Sequence, residues 1–356
     1  MKKKLMLAMS GGVDSSAALA LLTKEYDVIG GTLQLFDREE LCGSCGDPSD
    51  IEDAKAVAAK YGIEHRVFPF RELFRKHVTD DFVQTYLDGG TPNPCIQCNK
   101  HIKFGALLDE ALKLGCEYFA TGHYARVEYD DARGRYLLKK ATCGGEINPK
   151  DQSYVLYNLT QEQLKHIVLP LGTMDKAQVR EIALSNGLVN ASKPDSQDIC
   201  FVPDGDYAGF IQRYSGTAPA EGCFTDTDGN IVGTHNGLIH YTIGQRKGLG
   251  ISFGKPMFVV EKNSAANTVV LGESDKLFRD TLTVRDVNLI SVDALCAPLE
   301  CCAKTRYSMR EQPCVISPAE NGRINVRFMQ PQRAVTPGQS AVFYDGDIVI
   351  GGGIIE

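Results

Sequence analysis

Apolar and polar positions change their period along the chain. Leu5-Met6-Leu7-Ala8-Met9 is a short continuous apolar run and predicts a buried strand. Residues 17–25, rich in Ala and Leu, predict a helix, and residues 28–35 a second strand. Ser49-Asp50-Ile51-Glu52 has the form of a capping box, so a helix is expected from there to Tyr61-Gly62. Arg66-Val67-Phe68-Pro69-Phe70 predicts a third strand. Residues 102–114 place apolar side chains at 104, 107, 108, 111 and 112, the spacing of an amphipathic helix, and Gly115 stops it. Residues 117–121 predict a fourth strand. Repeated strand–helix–strand units give an α/β fold, a doubly wound parallel sheet with helices on both faces.

The pattern turns helical from about 155 to 190, with Pro170 and Gly172 between two segments. Beyond about 220 it becomes β-rich. Short runs are separated by turn pairs such as Asp228-Gly229, Asn236-Gly237, Asn321-Gly322 and Asp345-Gly346. The expected organisation is an α/β domain over 1–210, a small central β-rich domain over 211–280 and a C-terminal β-barrel over 281–356.

Composition narrows the class. Of 356 residues 43% are hydrophobic and 23% charged, which excludes a disordered, fibrous or simple coiled-coil chain. The net charge of -7 argues against wholesale binding to nucleic acid but leaves room for a local basic surface. No run approaches the ~20 apolar residues of a membrane helix, and the apolar run after Met1-Lys2-Lys3-Lys4 is too short for a signal-peptide core. The expectation is a cytoplasmic protein with no membrane partner. Its 12 cysteines would be reduced unless they hold a metal or do redox chemistry.

Ser10-Gly11-Gly12-Val13-Asp14-Ser15-Ser16 lies directly after a predicted strand and before a predicted helix. Glycines let backbone amides approach an anion, the helix N-terminus adds unpaired N–H groups, and serines add hydroxyl donors. Asp14 could help hold magnesium. No lysine follows the glycines, so this is not the G-x-x-x-x-G-K-[ST] loop. The heptapeptide matches the pyrophosphate loop (PP-loop) of enzymes that cleave ATP between the α and β phosphates.

Three cysteine positions stand out. Cys95-Ile96-Gln97-Cys98 precedes the 102–114 helix, whose N-terminus favours a thiolate. Cys200 follows the polar run Lys193-Pro194-Asp195-Ser196-Gln197-Asp198. Cys42-Gly43-Ser44-Cys45 follows the second strand, at the sheet end where ligands bind in open α/β folds. Two C-x-x-C pairs also admit a structural zinc site, and Cys95 with Cys98 a dithiol–disulfide pair. Cys116, Cys143, Cys223, Cys296, Cys301, Cys302 and Cys314 are expected to be inert.

Assembled in order, these residues resemble the tRNA-specific 2-thiouridylases nearly end to end. The match includes Ser10 to Ser16, Gly90-Thr91-Pro92-Asn93-Pro94, Cys98-Asn99-Lys100, Ile102-Lys103-Phe104 and Ala120-Thr121-Gly122-His123-Tyr124. It continues through Lys150-Asp151-Gln152-Ser153-Tyr154, Asp195-Ser196 with Ile199-Cys200-Phe201, and Gly244-Gln245-Arg246-Lys247-Gly248-Leu249-Gly250. Lys304-Thr305-Arg306-Tyr307, residues 336–344 and Gly351-Gly352-Gly353-Ile354-Ile355-Glu356 close it.

The resemblance implies ATP with Mg2+ on Ala8, Met9, Ser10, Gly11, Gly12, Val13, Asp14 and Ser15, with Leu33 and Gly122 near the adenosine. It implies adenylation of O2 of the wobble uridine of tRNA. Cys200 would carry a persulfide, and Cys98 would act as nucleophile or release sulfur by forming a disulfide with Cys200. Lys103 would neutralise the departing pyrophosphate. Asn93, Pro94, Cys95, His123, Lys150, Asp151, Gln152, Arg306, Tyr307 and Gln339 match positions that contact the tRNA anticodon arm. The implied partners are tRNA and a sulfur donor such as a persulfide carrier, a cysteine desulfurase or free sulfide. The 281–356 segment carries seven Lys/Arg against eight Asp/Glu, so its charge alone does not point to RNA.

One departure matters. The residue after Asn-Pro is commonly aspartate in the family and is Cys95 here. Cys95, Cys98 and Cys200 would give three soft ligands suited to a 4Fe-4S cluster with one open iron, able to carry hydrosulfide. Two readings from other classes stand beside these: a PP-loop adenylating ligase with a nitrogen nucleophile, and a zinc-stabilised RNA-binding protein.

Overall fold

The computed structural model describes residues 2–36, 48–191, 193 and 199–356. The chain divides into two compact units. The first comprises Met1–Val78, Cys95–Gly205 and Gly346–Ile350; the second comprises Thr79–Pro94, Asp206–Asp345 and Gly351–Glu356.

In the first unit, the apolar run at the N-terminus forms strand β1 (Lys4–Ala8), followed by β2 (Asp27–Gln34), β3 (His65–Pro69) and β4 (Tyr118–Ala120). With Ile167–Val168 they form a five-stranded parallel sheet in the order β3-β2-β1-β4 and then 167–168. The expected doubly wound sheet is therefore present, with a fifth strand that the pattern did not announce. Leu5 and Leu7 are fully buried in one core with side chains of helices Val13–Leu22 (α1), Pro48–Lys60 (α2) and Lys176–Ser185. Each fully buried leucine contributes roughly 2 kcal/mol. The other face is also covered: Phe119 of β4 meets Phe104 edge-on at 5.7 Å. In this sheet the order in which strands are added reverses between β1 and β4, and in such folds ligands bind at the carboxyl ends of the strands at that switch point.

The 102–114 helix begins earlier than its apolar spacing suggests. Cys98–Leu107 is wound as a π-helix and continues as α-helix over Leu108–Lys113, with Gly115 (φ 77°) just past its end. π-Turns are uncommon and cluster at functional sites.

In the second unit, Gly222–Thr225, Ile231–His235, Phe258–Asn263 and Thr268–Gly272 form a four-stranded sheet around Phe224, Val259, Val269 and Leu271. The six C-terminal strands run in the order Phe278–Leu289, Ile324–Arg333, Gln312–Pro318, Leu299–Lys304, Ser340–Asp345 and Ile348–Ile355. The last pairs back onto the first, Val284 with Ile355, and closes the expected barrel. Among the described residues no helix is long and apolar enough to cross a membrane.

Candidate active site

The loop after β1 is shaped by its own serines and by glycine. Ser15 and Ser16 Oγ both donate to the Gly12 carbonyl, at 3.1 and 3.0 Å, and the Ser10 amide donates to Ser15 Oγ at 3.3 Å. Gly12 is the N-cap of α1 and supplies no side-chain cap, so the first-turn amides of α1 are available to an anion. Gly11 has φ +73°, and a Cβ there would lie 2.3 Å from the Asp50 carbonyl oxygen of α2. Only glycine fits that position without strain.

Three side chains that sequence reasoning missed hold this loop. Asn190, buried, donates through Nδ2 to the Gly11 carbonyl (2.8 Å), the Gly12 carbonyl (3.3 Å) and Ser16 Oγ (2.8 Å). Its Oδ1 is buried without a partner. Turning the amide over would set Oδ1 against two carbonyl oxygens, so the orientation is fixed. By engaging the carbonyls, Asn190 helps keep the loop's oxygens from an incoming phosphate. Asp14 Oδ1 accepts from Lys176 Nζ at 2.7 Å and from Tyr124 Oη at 2.8 Å. The carboxylate offered to magnesium is thus held by two donors. Lys176 is placed there because Asp175 caps its helix in a capping box with Gln178.

The end of β4 meets the same loop. A Cβ on Gly122 would lie 3.0 Å from the Ser15 amide nitrogen, so Gly122 sits directly on the phosphate loop. His123 Nδ1 is 2.7 Å from Thr121 Oγ1. Burial holds His123 neutral, well below the usual histidine range, and the nearby Lys103 ammonium pushes the same way. Lys103, from the π-helix, therefore lies near His123 at the end of β4. Leu33 is half-buried near the end of β2, one residue past Thr32, whose Oγ1 donates to the Met9 carbonyl at 2.8 Å.

Cys98 is buried at the start of the π-helix, Cys95 is exposed one turn before it, and Cys200 is half-buried. Phe201 meets Phe74 edge-on at 5.8 Å, and the short helix Arg71–Phe74 packs against the π-helix that begins at Cys98. Cys200 thus adjoins Phe201, whose partner Phe74 lies on the helix packed against that π-helix. His101, one turn after Cys98, stacks on His77 at 4.4 Å. Burial, with His77 and Lys100 alongside, lowers the pKa of His101 to about 4. Among the described residues no three His, Cys, Asp or Glu side chains are grouped to hold a metal ion. Cys42, Cys45, Asp195 and Ser196 lie outside the described residues.

The chain matches three family models in sequence. These are the tRNA methyl transferase HUP domain over residues 3–204, the tRNA methyl transferase PRC-barrel domain over 208–273 and the aminomethyltransferase beta-barrel domain over 279–355. Along 100% of its length it is 53% identical to the tRNA-specific 2-thiouridylase MnmA of Clostridioides difficile, covering 99% of that protein. It is equally identical, with the same coverage, to the protein of that name from Acetivibrio thermocellus. The chain belongs to the tRNA-specific 2-thiouridylase family. A more distant likeness is to the structure of the U34-tRNA thiolase NcsA from Methanococcus maripaludis with its 4Fe-4S cluster. That match has a TM-score of 0.36 and 18% identity, covers 60% of this chain and 66% of that one, and carries no argument about the cysteines here.

The positions that match the family's tRNA contacts divide between the units. In the first, Lys150 is exposed, while Asp151 is buried and accepts from the Ala141 amide (2.8 Å) and Ser153 Oγ (2.7 Å). Gln152 Oε1 accepts from the Tyr124 amide at 2.9 Å, beside His123. In the second, Tyr307 is 42% exposed, a ring open to stacking. The Arg306 guanidinium donates to the carbonyls of Ala334 (2.9 Å) and Ile243 (3.2 Å) and to Thr336 Oγ1 (2.5 Å). Gln339 Nε2 donates to the carbonyls of Thr91 (2.9 Å) and Pro92 (3.1 Å), and the Thr91 amide donates to the Pro337 carbonyl at 2.9 Å. Gln339 thereby fixes the loop that carries Asn93 and Pro94.

Proposed function

We propose that this protein is an ATP-dependent sulfurtransferase that 2-thiolates the wobble uridine of tRNA. The observation that carries the reading is the phosphate loop: an uncapped helix N-terminus at the switch point, its carbonyls engaged by Asn190, in a member of the 2-thiouridylase family. ATP, arriving with Mg2+, lies on Ala8–Ser15 with Leu33 and Gly122 beside the adenosine. The uridine O2 attacks the α-phosphorus and pyrophosphate leaves, its charge met by Lys103 and the α1 amides. A persulfide on Cys200 then attacks C2 through its outer sulfur, and AMP departs with the O2 oxygen. The Cys98 thiolate attacks the inner sulfur of Cys200. The bond between the two sulfurs breaks, its electron pair leaves on the sulfur now attached to C2 and becomes the 2-thio group, and a Cys98–Cys200 disulfide forms. An external thiol reduces that disulfide, and a persulfide carrier or desulfurase reloads Cys200. The anticodon arm is held by Asn93, Pro94, Cys95, His123, Lys150–Gln152, Arg306, Tyr307 and Gln339.

The test is thiolation of tRNA with release of AMP by the purified protein, alongside Cys200→Ser and anaerobic iron and sulfide analysis. Cys200→Ser is expected to lose thiolation by at least ~10³-fold while still binding ATP. An active Cys200→Ser would replace sulfur with a nitrogen nucleophile. About four irons and four sulfides per chain, lost in Cys95→Ser, would replace the persulfide route with a cluster.

A further inference from the structure

The family resemblance includes Gly244-Gln245-Arg246-Lys247-Gly248-Leu249-Gly250, yet nothing in the reaction above uses it. The chain is acidic overall, but no Asp or Glu stands between Asp228 and Glu261. Within that stretch, Arg246, Lys247 and Lys255 fall in a single loop and are all exposed. The loop is built rather than slack. The Gly244 amide donates to the Val259 carbonyl (2.8 Å) and the Val259 amide to the Gln245 carbonyl (2.9 Å). Gln245 Oε1 accepts from the Thr242 amide, and its Nε2 donates to the Lys247 carbonyl, both at 3.0 Å. Leu249 is buried in the central core. Ile251 packs so closely on Gly233 that a Cβ there would lie 2.3 Å from its Cδ1.

With the apolar side chains turned in, the cations are left facing outward. Gly248, Gly250 and Gly254 have φ of +76°, +72° and +67°, the left-handed turns from which backbone N–H groups form anion-binding nests. Arg246, Ser252, Phe253, Lys255 and Met257 line a cavity of about 360 Å³. Its polar rim is cationic, and its floor carries a half-buried aromatic ring. Among the described residues, Glu273 lies 2.5 Å from Lys255 in an exposed pair, which contributes little.

We propose that this loop of the central domain is a second RNA-contact site, in which Arg246, Lys247 and Lys255 bind backbone phosphates of the tRNA and Phe253 supports the adjoining sugar or base. The proposal rests on tRNA being the substrate. A basic, glycine-rich concavity without acids suits a polyanion, and the ring suits a nucleotide better than a free phosphate.

The experiment compares the full-length protein with its Arg246→Ala/Lys247→Ala variant in tRNA binding between about 50 and 200 mM salt and in steady-state thiolation. The variant is expected to raise KM for tRNA roughly tenfold with kcat within about twofold, and to flatten the slope of log affinity against log salt by about 1–2. Arg246→Lys/Lys247→Arg should restore both, and Lys276→Ala, an exposed cation elsewhere in the same unit, should change neither. An active enzyme whose KM and salt slope survive the double alanine change overturns the proposal. So does a variant with normal tRNA KM that fails only when sulfur is delivered by a carrier protein, because the loop would then serve that protein. A wild-type protein that neither binds nor thiolates tRNA overturns the functional reading itself.

Discussion

The phosphate loop and the loop at 90–94 use the same device for different ends. In each, a side-chain amide from a distant segment grips two consecutive backbone carbonyls: Asn190 on Gly11 and Gly12, and Gln339 on Thr91 and Pro92. Asn190 is buried, and the groups it frees are backbone amides at a helix N-terminus. Gln339 is half-buried, and the loop it fixes carries the half-buried Asn93 and the buried Pro94. The first clamp leaves main-chain amides open to an anion; the second fixes a loop whose side chains we propose to face the tRNA. Side chains that resemblance assigns to RNA, Gln339 and Arg306 among them, are spent here on holding other parts of the protein in place.

The largest effect should come from breaking the buried clamp. Asn190→Ala strands the Gly11 carbonyl, at a cost of about 1–3 kcal/mol, while the Gly12 carbonyl keeps its serine donors. It should raise the Kd for ATP by roughly tenfold or more, with a lower Tm. Asn190→Asp, which sets a carboxylate among three oxygens, should be worse. Isothermal titration with ATP decides it, and unchanged affinity in both variants would remove Asn190 from the site.

Gln339→Ala should leave ATP binding alone. Thiolation should fall about three- to tenfold, from the loss of one or two partly exposed hydrogen bonds. If Gln339 acts through the loop, tRNA lacking the target uridine will bind both proteins alike, and the loss will appear in kcat. A change confined to tRNA affinity would return Gln339 to direct RNA contact.

The smallest effect concerns His101. Its folded pKa of about 4 lies below the ordinary value of 6.5, so the unfolded chain binds more protons between those values. Stability should fall as pH drops from 6.5 towards 4, and His101→Gln should shallow that fall in Tm. Equal slopes for the two proteins would show that the His77–His101 stack does not drive it.

How much of this was legible follows from sequence separation. The strand–loop–helix of residues 4–22 is local, and its glycines and serines read directly as a phosphate loop. Its supports come from 179, 162 and 110 residues away, at Asn190, Lys176 and Tyr124, where no periodicity marks them. The one available signal was the Asp175-x-x-Gln178 capping box, which fixes the helix start that delivers Lys176. The fifth strand, Ile167–Val168, is two residues long and too short for any alternation to show. The cysteine positions were readable. Their relation was not, because the contact of Phe201 with Phe74 beside Cys200 joins segments far apart in the chain. The three-thiol arrangement suggested by Cys95 depends on a geometry that the sequence does not contain.

The π-winding of Cys98–Leu107 has a consequence for length variation. A π-turn is an α-helix carrying one surplus residue. Deleting a single residue between Gly105 and Leu107 would let the segment close up to ordinary helix, with its hydrogen bonds kept and the turns on either side still in phase. The same deletion in a regular α-helix would turn one flank by about 100° against the other. The stretch after Cys98 is therefore a place where the chain can shorten by one residue without turning Cys98 out of its buried post.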